Sequence, residues 1–286
     1  MHNTAIILIL FAAILESIII IVGNIFTVVV FWKNRNRLKR TLLLVINLAV
    51  ADLFVGFTEP ISIGAFDIPG HLVGENFNST RTTNISNAFQ ITFGFGSVLF
   101  LTLIALERAY ALIWPLRHRA ASTRSYIYSA TLAWIVAIFA GALTLLTVFG
   151  IVDFKYSKIG LGGSKVLALV TICLAYLAIR ARLNNKVPAI DGAHNSQSKL
   201  QQNTKLSRTL FIMITASLLF WVPSLVVNST QYLCDCVPLL VYHISTLFRL
   251  ANSLVNPIIY SFKIPMFKAT FERAKLCKQS KEYGIN

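Results

Sequence analysis

Charge is scarce in this chain. Of 286 residues only 13% are Asp, Glu, Lys or Arg, and acidic side chains are the scarcest, eleven against 26 basic ones. With 56% hydrophobic residues beside that scarcity, a water-soluble domain of this length is excluded, since such domains carry about 25% charged residues. Other absences narrow the function. There is no cluster of metal-ligand residues, no nucleophile beside a base and no phosphate-cradling loop, and the five histidines are scattered, so an enzyme is not expected. There is also no internal repeat.

What the sequence does contain is apolar runs of membrane-spanning length. About 20 apolar residues are needed to cross roughly 30 Å of hydrocarbon, and seven runs qualify, near 5–32, 41–66, 88–113, 125–150, 162–182, 207–230 and 238–261. The first is read as a retained span rather than a signal peptide: it has no basic leading segment, carries Glu16 inside the apolar stretch and lacks a small-x-small cleavage site. The connections are short. The longest, residues 184–205, has the Pro, Gly, Ser, Gln and Asn content of a mobile loop. The expected fold is an all-α membrane protein, a seven-helix bundle over 1–262 followed by a cytoplasmic amphipathic helix and short tail over 263–286.

The net charge of +15 would suggest nucleic acid in a soluble protein, but its location speaks for a bilayer instead. Lys33 to Arg40, Arg117 to Arg124, Arg180 to Arg208 and Lys263 to Lys281 place the basic residues on alternate connections and on the tail. By the positive-inside rule these sides are cytoplasmic and the N-terminus is outside. Three glycosylation sequons, at Asn78, Asn84 and Asn228, all fall on the outer side. The protein is therefore expected in the plasma membrane, as a multi-pass chain with no nucleic-acid partner.

Few polar residues lie within the spans, and polarity at that depth is costly. Asp52 sits mid-way along the second span, Ser97 on the third, and Asn252, Ser253 and Asn256 on the seventh. A buried carboxylate near hydroxyls and amides offers the oxygen ligands that a small hard cation takes, and it can equally hold a proton. Pro257 follows Asn256, and a proline here frees backbone carbonyls and kinks the helix.

Six motifs stand in order along the spans: "GNIF" in the first, "NLAVADL" in the second, "LERAYALIWPLRHR" closing the third, Trp134 in the fourth, "FWVP" in the sixth and "NPIIY" in the seventh. In this order and topology the chain resembles the rhodopsin-like (class A) G-protein-coupled receptors over nearly its whole length. The resemblance implies a receptor that binds an extracellular ligand and activates a heterotrimeric G protein. It implies a sodium-binding polar core of Asn24, Asp52, Ser97, Asn252, Ser253 and Asn256, with sodium on Asp52 and no other cofactor. Glu107 would hold Arg108 at rest. Tyr176 and Tyr260 would gather around the released arginine, and Pro223 and Pro257 would act as kinks. Trp221 resembles the family's ligand-sensing switch, in a pocket with Gln90. Cys277, on the expected inner-leaflet helix with Phe267 and Phe271, is a candidate for palmitoylation or a free thiol.

Departures from the family pattern are as informative. No cysteine stands at the outer end of the third span or in the loop 148–162, so the familiar loop disulfide cannot form. The outer cysteines Cys234 and Cys236 are one residue apart, a spacing that strains a mutual bridge and leaves free thiols as an alternative. The fifth span lacks its common proline, Ala109 follows Arg108 in place of tyrosine, and Ser217 replaces a phenylalanine. Leu250 stands where opsins carry the retinal lysine, and Gln90 where amine receptors carry an aspartate. Asn203 stands where many relatives have the acid that locks the arginine. Glu107 is then the remaining restraint on Arg108, and an exposed pair is worth about 0–1 kcal/mol, so basal signalling is expected. Finally, Glu59 lies seven residues outward of Asp52, and Arg249 seven outward of Asn256. Seven residues is about two turns, so if Asp52 faces Asn256, Glu59 should face Arg249 at the pocket floor. The readings from other classes are a seven-helix transporter or ion-conducting protein, with Asp52, Glu59 and Arg249 along its path, and a receptor-like fold that signals weakly.

Overall fold

The computed structural model describes residues 2–34, 41–63, 80–184, 212, 215–231, 233–234 and 236–263. These form seven long helical segments and one short helix, with no strand among the described residues. The first span is His2–Lys33, the second Thr41–Ser62, the third Thr80–Ile113, the fourth Thr123–Val148, the fifth Phe154–Asn184 and the seventh Leu239–Lys263. The described part of the sixth is residue 212 and residues 215–231. Among the described residues five helices, the first to the fifth, are long and apolar enough to cross a membrane.

Two spans begin earlier than hydropathy alone indicates. The third starts at Thr80, not near 88, and the fifth at Phe154, not near 162. Hydropathy registers only the lipid-depth part of a helix, and the polar turns in front contain no proline to stop it. The break before the fifth span has local causes. Gly150 adopts φ 69°, the left-handed conformation that ends helices cheaply on glycine. Three residues on, Asp153 Oδ1 accepts the Lys155 backbone N–H at 2.7 Å. Between the third and fourth spans lies a short helix, Pro115–Ala120, started by its proline. Ser122 then caps the fourth span by accepting the Arg124 N–H at 3.2 Å.

The third span is the hub, packed against the second, fourth and fifth, while the first packs against the second and seventh. The largest cluster of buried side chains includes Phe31, Leu48, Phe100, Ile104, Ile172 and Tyr260. Outward faces are apolar as well: Leu8, Phe11 and Val22 on the first span are all at least 60% exposed. A fold with apolar side chains inside and outside is built for lipid, not water. Close helix contact uses small residues, and a β-carbon at Gly23 would lie 3.1 Å from Cβ of Pro257, tighter than an ordinary contact, so a glycine there suits the close approach of the first span to the seventh at its proline.

The amphipathic helix and Cys277 expected beyond residue 263 lie outside the described residues, as do Asn78 and Asn203.

Candidate functional site

The second span carries Asp52 into a fully buried position between the third and seventh. Its Oδ1 accepts from Ser97 Oγ and from Ser253 Oγ, each at 2.7 Å, and its Oδ2 accepts from Asn256 Nδ2 at 2.8 Å. Three helices thus meet on one carboxylate. Asn24 adds the first span, donating from Nδ2 to the Ile20 carbonyl at 3.0 Å and to the Ser253 carbonyl at 3.4 Å. Asn252 is 1% exposed, and neither atom of its amide has a partner among the described residues; nor do Oδ1 of Asn256 and Oδ1 of Asn24. Buried amides are ordinarily satisfied, so this cluster holds more acceptors than its own donors use.

Two turns outward, Arg249 Nη2 lies 2.7 Å from Glu59 Oε2. Sequence reasoning paired these two but missed Glu16 on the first span, which interacts electrostatically with both. Its position inside an apolar run was the available signal. Trp221 is 4% exposed, and its indole Nε1 has no acceptor among the described residues. The ammonium of Lys165, on the fifth span, lies over its ring at 5.5 Å from the centroid. Gln90 is half-buried one turn outward of Gly94, whose own β-carbon, if it had one, would be 4.0 Å from Trp221. Pro223 is half-buried two residues beyond Trp221.

At the opposite end, Glu107 Oε2 faces Arg108 Nε at 2.9 Å, and its Oε1 meets His118 Nε2 at 2.8 Å and Tyr126 Oη at 3.4 Å. The side chains of Arg108 and Glu107 are only 10% and 6% exposed. The exposed, weak pair expected from sequence is therefore corrected: the short helix bearing His118 and the start of the fourth span bearing Tyr126 close over it. The tyrosine after the arginine in relatives is here Ala109, itself buried. Tyr176 Oη accepts from Arg180 Nη1 at 3.3 Å on its own helix. Tyr260 is buried edge-on against Phe31, with ring centroids 6.1 Å apart.

Of the sequon residues, Asn228 is exposed and donates to the Ser224 carbonyl at 2.7 Å, and Asn84 lies in the first turns of the third span. Cys234 and Cys236 are joined to each other.

Residues 23–260 match the family model described as 7 transmembrane receptor (rhodopsin family). This chain belongs to that family. The receptor is similar to the adenosine receptor A3 of Canis lupus familiaris, 25% identical over 93% of this chain and 91% of that receptor. It is likewise similar to the allatostatin-A receptor of Bombyx mori, 25% identical over 91% of this chain and 77% of that protein. The somatostatin receptor type 4 of Rattus norvegicus is 24% identical over 90% of this chain and 69% of its own. The protein is thus a G-protein-coupled receptor for an extracellular ligand, a multi-pass membrane protein of the plasma membrane and not an enzyme. The transporter reading gives way to it.

Proposed function

We propose that this receptor, with its N-terminus outside, binds its ligand among the outer ends of the third, fifth, sixth and seventh spans and couples that event through the Asp52 cluster to release of Arg108 at the cytoplasmic face. The single observation that carries the reading is the convergence of Ser97, Ser253 and Asn256 on the buried Asp52. One carboxylate, two hydroxyls and amide oxygens without other partners make a set of hard oxygen donors, which suits sodium. Asp52, Ser97, Asn252, Ser253 and Asn256 would hold the ion, with Asn24 buttressing the seventh span. A bound cation ties the second, third and seventh spans together, and so favours one arrangement of the kink at Pro257.

The ion pair of Glu107 with Arg108 supports a resting arrangement at the inner face. Outward movement of the sixth span would then expose Arg108 to the G protein, with Tyr176 and Tyr260 turning toward it. The relatives are named for adenosine, allatostatin-A and somatostatin, which do not agree on one ligand. Amine recognition through a third-span acid is disfavoured by Gln90.

The test is GTPγS binding to membranes bearing the receptor without added ligand, set against Arg108→Ala. Arg108-dependent exchange supports the reading. Identical exchange in the two, at equal surface expression and across a panel of Gα subunits, sinks it.

A further inference from the structure

We propose that Lys165 is an anion-recognition residue of the outer pocket, and that the ligand of this receptor carries a carboxylate or phosphate group arriving from the aqueous side. The proposal deepens the receptor reading above and rests on it for the orientation of the bundle.

Lys165 lies eleven residues past Phe154 on an apolar helix, where a cation is costly unless something compensates it. Its ammonium is set over the indole of Trp221, 5.5 Å from the ring centroid, within the range of a cation–π contact. Trp221 is 96% buried by the complement of its 4% exposure, yet its Nε1–H finds no acceptor among the described residues. A buried N–H is ordinarily paired, so a donor without an acceptor beside an ammonium marks a place for acceptor oxygens. Space is provided on the third span. A β-carbon at Gly94 would touch only Cη2 of Trp221, at 4.0 Å, with nothing else described within that distance. Gln90, one turn outward, adds an amide that can donate to the same group. Glu59, which would repel an anion, is already paired with Arg249.

A charged oxygen group entering this space draws the ammonium from the ring face and accepts from the indole N–H. That changes both contacts of Trp221 in one step, which gives the sixth span a differential response to the ligand.

The experiment needs no known ligand. Gln90→Cys is introduced in the full chain, reconstituted in phosphatidylcholine nanodiscs, and its labelling from outside is timed by mass spectrometry with an anionic (MTSES) and a cationic (MTSET) methanethiosulfonate. The chain without Gln90→Cys supplies the blank for its native cysteines. With Lys165 in place MTSES should be favoured, and Lys165→Met should lower the MTSES-to-MTSET rate ratio by about tenfold or more, since a unit charge within about 10 Å shifts both local reagent concentrations in opposite senses. Lys165→Arg should keep the ratio within about twofold, and Lys165→Gln, which removes the charge but keeps a polar head, makes the same comparison if Lys165→Met fails to fold. A ratio indifferent to Lys165, or a Gln90→Cys that neither reagent reaches, overturns the proposal. Nanodiscs of phosphatidylglycerol separate the sources: their surface potential slows MTSES with or without Lys165, so only a slowing that is lost in Lys165→Met would place a lipid headgroup in the site, against a water-borne ligand. Labelling does not depend on coupling. A chain that follows these expectations yet shows exchange indifferent to Arg108→Ala refutes the proposed signalling and retains the anion site.

Discussion

Arg249 on the seventh span donates from Nη2 to Oε2 of Glu59 on the second at 2.7 Å, with the carboxylate side chain only 5% exposed. Breaking a buried pair by removing one partner costs about 3–5 kcal/mol, because the other charge is left behind. Glu59→Arg and Arg249→Glu should each reduce surface expression severely, the second more so, since it would put three acids together with Glu16. The double swap should recover part of the loss. Flow cytometry of a surface tag reads all four receptors, and no recovery in the double swap would argue that the contact does not matter in the membrane.

Sodium should stabilise the purified receptor relative to choline, and Asp52→Asn should remove the difference. Binding to the folded form alone contributes about 1.4 kcal/mol at ten times the dissociation constant, enough to move an unfolding midpoint by a few degrees. Equal midpoints in the two salts for the wild type would refute the sodium site.

A smaller effect is expected at the fourth span. Trp134 Nε1 donates to Asn47 Oδ1 at 2.8 Å, joining the fourth span to the second, while its ring packs edge-on against Phe100 at 5.4 Å. Trp134→Phe keeps much of the ring contact and loses the hydrogen bond, so it should cost about 0.5–1.5 kcal/mol, read as a lowered midpoint with signalling retained. A loss of signalling at unchanged stability would contradict this structural role.

How much of this was legible in the chain follows from which signals are periodic. The spans could be read because lipid imposes one length and one composition on every helix, and the Glu59 to Arg249 pairing because two residues seven apart on facing helices share a face. The starts of the third and fifth spans could not be read from hydropathy, since their first turns lie where polarity carries no penalty. Lys165 could not be assigned to the pocket from the sequence, because hydropathy cannot tell which face of a span a lysine occupies. His118 and Tyr126 were missed for another reason: their meeting on Glu107 depends on how the short helix after Pro115 folds back, and no spacing rule encodes that.

Glu107 sits between two kinds of partner, and this fixes the last expectation. One oxygen faces Arg108 Nε at 2.9 Å, and the other faces His118 at 2.8 Å with Tyr126 at 3.4 Å. Because the pair is about nine-tenths buried, its Coulomb attraction is screened less than that of a surface pair, and releasing Arg108 leaves a carboxylate that still faces His118 and Tyr126. Glu107→Gln removes the charge that holds Arg108, so ligand-free GTPγS binding should rise several-fold over wild type at equal surface expression. Tyr126→Phe removes the 3.4 Å contact to Glu107 and the 3.2 Å contact to His118 but leaves Arg108 on the carboxylate, and should change basal exchange less than about twofold. His118→Ala should fall on the wild-type side of Glu107→Gln, since the contact to Arg108 survives it. If instead Glu107→Gln left basal exchange unchanged while His118→Ala raised it, the restraint on the inner face would belong to the short helix and not to the pair with Arg108.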